Sequence, residues 1–238
     1  MPHLFLNRPR LYDLTRDQEG LPSQYLWETI NAIFYKVGGL VFIAGSILFF
    51  PAFSKYADLG AWTFFAGSLL YLVVTSHDMA EVHRHWRTHH THTRDMALEY
   101  AAAASYLWGT ILFTVGSIFF LSYVDWIVPG AWCFVIGSML FVLGACINVM
   151  QIIKADTMAM LQLMNYTAVT FVAGSILFTV ASVPYLWRVD IHEYEVKLHA
   201  FLAWQYLIGS VLFFVGGVFN YWRIYLNMRR QIRKSRAD

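Results

Sequence analysis

The sequence predicts an all-α polytopic membrane protein: six transmembrane helices as three tandem helical hairpins in a pseudo-threefold arrangement. Three observations carry that expectation. Of the 238 residues, 58% are apolar and only 13% charged, against roughly 45–50% and about 25% in an ordinary soluble domain. Six apolar runs bounded by polar residues lie near 35–54, 59–76, 101–121, 126–148, 164–184 and 201–222, each close to the roughly 20 residues that a bilayer-crossing helix needs. The dipeptide Gly-Ser recurs near the middle of every run, at Gly45-Ser46, Gly67-Ser68, Gly116-Ser117, Gly137-Ser138, Gly174-Ser175 and Gly209-Ser210.

Residues 1–34 read as a cytoplasmic arm followed by an interfacial helix. Ser23 is its candidate N-cap, and Tyr25, Leu26, Trp27, Ile30, Ile33 and Phe34 supply its apolar contacts. An earlier start of the first span is the competing reading. No cleavage site follows the first apolar run, so that run is expected to act as the targeting signal and stay in the membrane. The first hairpin, 35–76, turns between Lys55 and Asp58, and a His-rich cytoplasmic segment follows at 77–100. The second hairpin, 101–150, turns between Ser122 and Asp125, and a connection at 151–163 leads to the third, 164–224. Its turn is longer, from Trp187 to Glu195, and a basic tail closes the chain at 225–238.

Charge sets the expected orientation, because Lys and Arg near span ends resist translocation. With both termini inside, all of the 17 positive residues except Lys55, Arg188 and Lys197 fall on the inner side. The outer side holds Asp58, Asp125, Asp190, Glu193 and Glu195. The tail from Arg229 to Arg236 then reads as an anchor on anionic lipid at the cytoplasmic face, not as a nucleic-acid site. Cys133 and Cys146 stand 13 residues apart in one run, about 20 Å along a helix, which is too far for a disulfide.

The repeat extends beyond Gly-Ser. Odd spans read Gly-Ser-Ile-Leu-Phe or Gly-Ser-Ile-Phe-Phe, and even spans share Ala61-Trp62, Ala131-Trp132 and Ala203-Trp204, with Phe64, Phe134 and Tyr206 two residues after each Trp. The repeating unit is a two-helix hairpin. A unit with an even number of spans enters and leaves on the same side, so its copies are related by an axis along the membrane normal. Small residues at mid-depth suit lipid-embedded helices, whose backbones must approach closely to gain packing energy. Six serines lining a permeation path are the alternative reading. The hairpin with Gly-Ser in both helices resembles the YrhK-like domain, here present three times over roughly 35–225. The resemblance implies a two-span bacterial inner-membrane module and brings no catalytic residue with it.

A weaker echo marks the inner ends of the even spans: Asp78, Asn148 and Asn220, then Glu81, Gln151 and Arg223 three residues on. Solvation of a helix end accounts for them, and a polar ring that holds an ion, a headgroup or a neighbouring hairpin is the alternative. Six of nine histidines fall between His77 and His92, and His77, Glu81, His85 and His89 recur every four residues, on one helix face. Such a set can chelate a transition metal. A solvated, partly protonated His run would serve instead as a soft anchor to anionic lipid. The stretch from His85 to Thr93 has the look of one box of a di-iron desaturase, but the other boxes are missing from the same membrane face.

No catalytic constellation, phosphate loop or haem ligand pair accompanies these features, and charge is nearly absent from the spans themselves. The expected function is therefore a non-enzymatic membrane module or accessory subunit, with the bilayer, a second copy or another membrane protein as partner and no required cofactor. A small Ser-lined channel and a cytoplasmic metal-binding protein are the competing readings.

Overall fold

The computed structural model describes residues 26–88, 93–150, 157–187 and 192–235. Among these lie six long helices: α1 (Leu26–Leu48), α2 (Ala57–Thr88), α3 (Arg94–Phe119), α4 (Ile127–Val149), α5 (Met158–Ser182) and α6 (His192–Ser235). All six are long and apolar enough to cross a membrane. The described residues are all-helical, with the six apolar helices of a multi-pass membrane protein.

Several bounds differ from those expected. The helix of α1 runs unbroken from Leu26, so residues 26–34 are its first turns and not a separate interfacial helix; Ser23 lies outside the described residues. Trp27, Asn31 and Tyr35 are buried along that stretch at the spacing of one helix face. At its other end α1 stops at Leu48, short of residue 54, because Pro51 cannot donate to a continuing helix. The chain turns there through a 3₁₀ segment, Pro51–Tyr56. The second turn is tighter, and Asp125 takes φ 51°, a left-handed conformation that Asp tolerates better than most residues. Thr93 and Thr157 cap α3 and α5, their hydroxyls accepting from the Met96 and Met160 amides at 3.3 Å. The third hairpin turn is also shortened, since α6 already begins at His192; residues 188–191 lie outside the described residues.

Each helix packs along its chain neighbours, and α6 packs back along α1, so the six helices close into a ring. Two ends result. The basal end holds the start of α1, the α2–α3 connection and the finish of α6, and the turn end holds the connections at 49–56 and 120–126. At the turn end, the Asp58 carboxylate accepts from the Ser122 amide at 2.8 Å and the Ser122 hydroxyl at 2.6 Å, linking the first two hairpins. With 32 and 44 residues, α2 and α6 reach about 48 and 66 Å. Both therefore outrun a hydrocarbon layer of about 30 Å.

The inside of the ring is filled with aromatic rings. Every helix contributes two buried aromatics seven residues apart: Tyr35 and Phe42, Phe64 and Tyr71, Tyr106 and Phe113, Phe134 and Phe141, Phe171 and Phe178, Tyr206 and Phe213. Seven residues are about two turns, so each pair shares one face. Phe113 stacks on Phe134 at 4.8 Å between centroids, and Phe178 meets Phe113 at 5.7 Å, Phe64 at 6.1 Å and Phe42 at 6.4 Å. Such pairs add about 0.5–1.5 kcal/mol each beyond the area they bury. Large side chains on the opposite faces, Trp62, Trp108 and Met139 among them, remain exposed where a bilayer would cover them.

Candidate functional site

Two regions hold the residues singled out from the sequence. The first is the mid-depth seam. All six Gly-Ser pairs are buried, and each glycine forms a notch for a ring of the partner helix. Gly45 faces Phe64 while Gly67 faces Phe42; Gly116 faces Phe134 while Gly137 faces Phe113; Gly209 faces Phe178 while Gly174 faces Phe213. Within the second and third hairpins the backbones themselves touch. A methyl group added at Gly174 would lie 3.0 Å from the Gly209 carbonyl oxygen. Glycines seven residues from those of the pairs repeat the device, with Tyr71 seated at Gly38, Tyr106 at Gly144 and Phe141 at Gly109.

The serines divide into two groups. The Ser46, Ser117 and Ser210 hydroxyls each lie 2.7 Å from the carbonyl four residues back, and Ser46 also meets Ser210 at 3.0 Å. Ser68, Ser138 and Ser175 are buried with no hydrogen-bond partner among the described residues. On the axis, a void of about 10 Å³ touches all six helices, from Phe42 and Ser68 to Thr110, Phe141, Phe178 and Phe213. That is at the lower limit of what one water needs.

The second region lies at the basal end. Asp78, Glu81, Asn148, Asn220 and Arg223 are all buried, so the echo at the even helix ends is not solvated; Gln151 lies outside the described residues. Asn31 and Glu99, which the sequence reading passed over, are buried as well. Glu99 shares its place in the repeat with Glu28, each 17 residues before an odd-helix glycine. Buried charge needs partners to offset its desolvation. Asp78, Glu81, Glu99 and Arg223 all have them, and the Arg223 Nε donates to Asn220 Oδ1 at 3.2 Å. Tyr106 accepts at 2.6 Å from the Asn148 amide.

Within this region His77, Asp78 and Glu81 bring one potential ligand atom each to within 4.8 Å of one another. The His77 ring is half-buried and stacks on Trp27 at 3.8 Å. Both carboxylates are buried. The helical spacing explains the grouping, because residues three and four apart face the same way. Tetrahedral Zn²⁺ holds its ligands about 3.3–3.5 Å apart, given bonds of about 2.0–2.2 Å, so modest side-chain rotation would close this set on an ion. His85 follows on the next turn, half-buried and outside that group, and His89 lies outside the described residues. Asp78 was not part of the expected chelate, because it was assigned to the solvated helix end.

Residues 25–82 and 97–153 each match the family described as YrhK-like protein. The first range covers α1 and most of α2, and the second covers most of α3 and all of α4, so one match is one hairpin together with its basal end. The third hairpin, 164–224, stands outside both ranges. No curated protein and no solved structure matches the chain. The same two-helix unit is thus found twice in tandem, and residues 25–82 and 97–153 are YrhK-like hairpins.

Proposed function

We propose that this protein is a non-enzymatic module of the bacterial inner membrane, closed to permeation, that works by packing against a second copy or another membrane protein. Its three hairpins stand around a pseudo-threefold axis, with both termini cytoplasmic. One observation carries the reading: the axis is plugged by aromatic rings that sit in glycine notches, leaving a void of about 10 Å³ at the level of the serines. The repeated order of aromatic, two residues, then Gly-Ser in all six helices supports the threefold relation. Orientation is supported by charge. Arg84, Arg87, Arg94, Arg223, Arg229, Arg230 and Arg233 belong to the basal end, whereas Asp58 and Asp125 belong to the turn end. A cleft between Arg229 and Arg233, one turn apart, also involves Tyr225, Met228 and Ile232 and suits an anionic lipid headgroup.

Solute flux tests the proposal. Proteoliposomes should release K⁺, Na⁺ and glycerol at the rate of protein-free liposomes. Saturable flux that is lost on Ser138→Phe would establish a path past the serines and overturn it.

A second reading rests on its own observation, the buried grouping of His77, Asp78 and Glu81 within 4.8 Å. It makes the basal end a divalent-cation site that sets how the module meets its partner.

A further inference from the structure

The third hairpin departs from the other two at the turn end, beside a cavity of about 200 Å³. The polar part of its wall is Ser54, Tyr185, His199 and Tyr206; the rest, including Phe49, Phe120 and Phe134, is apolar. Among the described residues, none that lines it is Asp, Glu, Lys or Arg. An apolar protein cavity of about 150 Å³ is large enough to bind benzene, so this one has room for a single ring with a small substituent.

The polar wall is a local specialisation within the repeat. Tyr206 stands three residues before its glycine, where the other even helices carry Phe64 and Phe134. His199 stands ten residues before it, where the others carry Ala57 and Ile127. The helix α5 also runs on to Ser182, eight residues past Gly174, whereas α1 and α3 stop at Leu48 and Phe119, three past theirs. That extra length brings the Ser182 hydroxyl to 2.8 Å from the Tyr206 hydroxyl.

Proton counting sets the polarity of this contact. In the arrangement in which Ser182 gives its one hydroxyl proton to the Phe178 carbonyl at 2.7 Å, Tyr206 is the donor to Ser182. The Tyr206 oxygen is thereby left as an acceptor at the base of the cavity. Tyr185 lies close enough to Tyr206 to interact with it electrostatically, and His199 lies parallel to the Tyr185 ring at 5.6 Å.

We propose that this cavity binds a neutral monocyclic aromatic alcohol, of the phenol class, through ring contacts with Phe49, Phe120 and Phe134 and a hydrogen bond from its hydroxyl to Tyr206. A neutral ring fits the described lining, in which no Asp, Glu, Lys or Arg faces a charged ligand that has lost its hydration. A hydroxyl is preferred over a bare ring because only a donor satisfies the phenolic oxygen.

The test uses the full chain in nanodiscs and equilibrium dialysis with radiolabelled phenol, toluene and benzoate, counting saturable binding above that of empty nanodiscs. Phenol should bind at one site, toluene about tenfold more weakly, and benzoate not at all. Tyr206→Phe should cost phenol about tenfold and leave toluene unchanged, so toluene reports that the cavity is intact. Ser54→Trp, on the exposed turn at the cavity rim, should abolish the binding of both. Equal phenol affinity in the parent and Tyr206→Phe would overturn the proposal. So would saturable binding that survives Ser54→Trp, or a co-purifying lipid in the cavity that phenol does not displace.

Discussion

The Ser46 and Ser210 hydroxyl oxygens, 164 residues apart in the chain, lie 3.0 Å from each other and join α1 to α6. That contact closes the helix ring at mid-depth. Each hydroxyl is also 2.7 Å from its own carbonyl four residues back. A hydroxyl has a single proton, so at any moment one serine donates across the interface while the other donates to its own helix.

Hydrogen bonds between membrane helices contribute about 0.6 kcal/mol on average. Ser210→Ala should therefore lower unfolding stability by about that amount. Ser68→Ala should be neutral or slightly stabilising, because it removes a buried hydroxyl that has no partner. Reversible unfolding in mixed micelles would rank the two variants.

Glycine positions should split by what surrounds them. A methyl at Gly109 would approach Phe141 at 2.6 Å and the Gly137 carbonyl at 2.9 Å, whereas at Gly217 its nearest neighbour is the Tyr35 Cβ at 3.5 Å. Gly109→Ala should cost about 1–3 kcal/mol through overpacking. Gly217→Ala should be neutral or gain up to about 1 kcal/mol from helix propensity. The same micelle assay reads both.

The aromatic plug predicts a contrast between inward and outward rings. Phe113→Ala removes a buried ring stacked on Phe134 and Phe141 and should cost about 3–5 kcal/mol. Trp108, 60% exposed on the same helix, should tolerate alanine within about 0.5 kcal/mol. Comparable losses at the two positions would contradict an inward aromatic core.

Zn²⁺ should raise the melting midpoint of the parent protein, since a ligand that binds only the folded state stabilises by mass action. The His85→Ala, His89→Ala double variant should keep that shift. Glu81→Gln should lose it, and should also melt below the parent without metal, because it breaks the contact of a buried carboxylate. The reverse pattern would move the chelate to the later histidines.

Six spans, their pairing into hairpins and the burial of every Gly-Ser pair were legible in the sequence, because hydropathy and a repeated small-residue motif are local signals. Helix extents were not. In Leu26–Phe34 and His77–Thr88 polar residues interrupt the apolar run that marks a span in the sequence, although the backbone continues as helix. The burial of Asp78, Glu81 and Glu99 was hidden for a related reason: a polar residue at a helix end reads as solvated unless one knows which neighbour covers that face. The odd helices did carry a missed signal, since Phe42, Phe113 and Phe171 stand three residues before their glycines just as Phe64, Phe134 and Tyr206 do. The cavity beside Tyr206 is walled by residues of all three hairpins, from Leu48 and Phe120 to Tyr185 and His199, and no local pattern encodes that.

Cysteine accessibility tests the closed axis most directly. In a Cys133→Ala, Cys146→Ala background, single cysteines would replace Ser138 at mid-depth and Ser54 on the exposed turn. They would then meet a membrane-impermeant methanethiosulfonate in proteoliposomes whose outward-facing side is established. The account predicts rapid labelling of Ser54→Cys where the turn end faces the reagent, and none of Ser138→Cys until the protein is unfolded in detergent. Labelling of folded Ser138→Cys at a rate comparable to Ser54→Cys would contradict it.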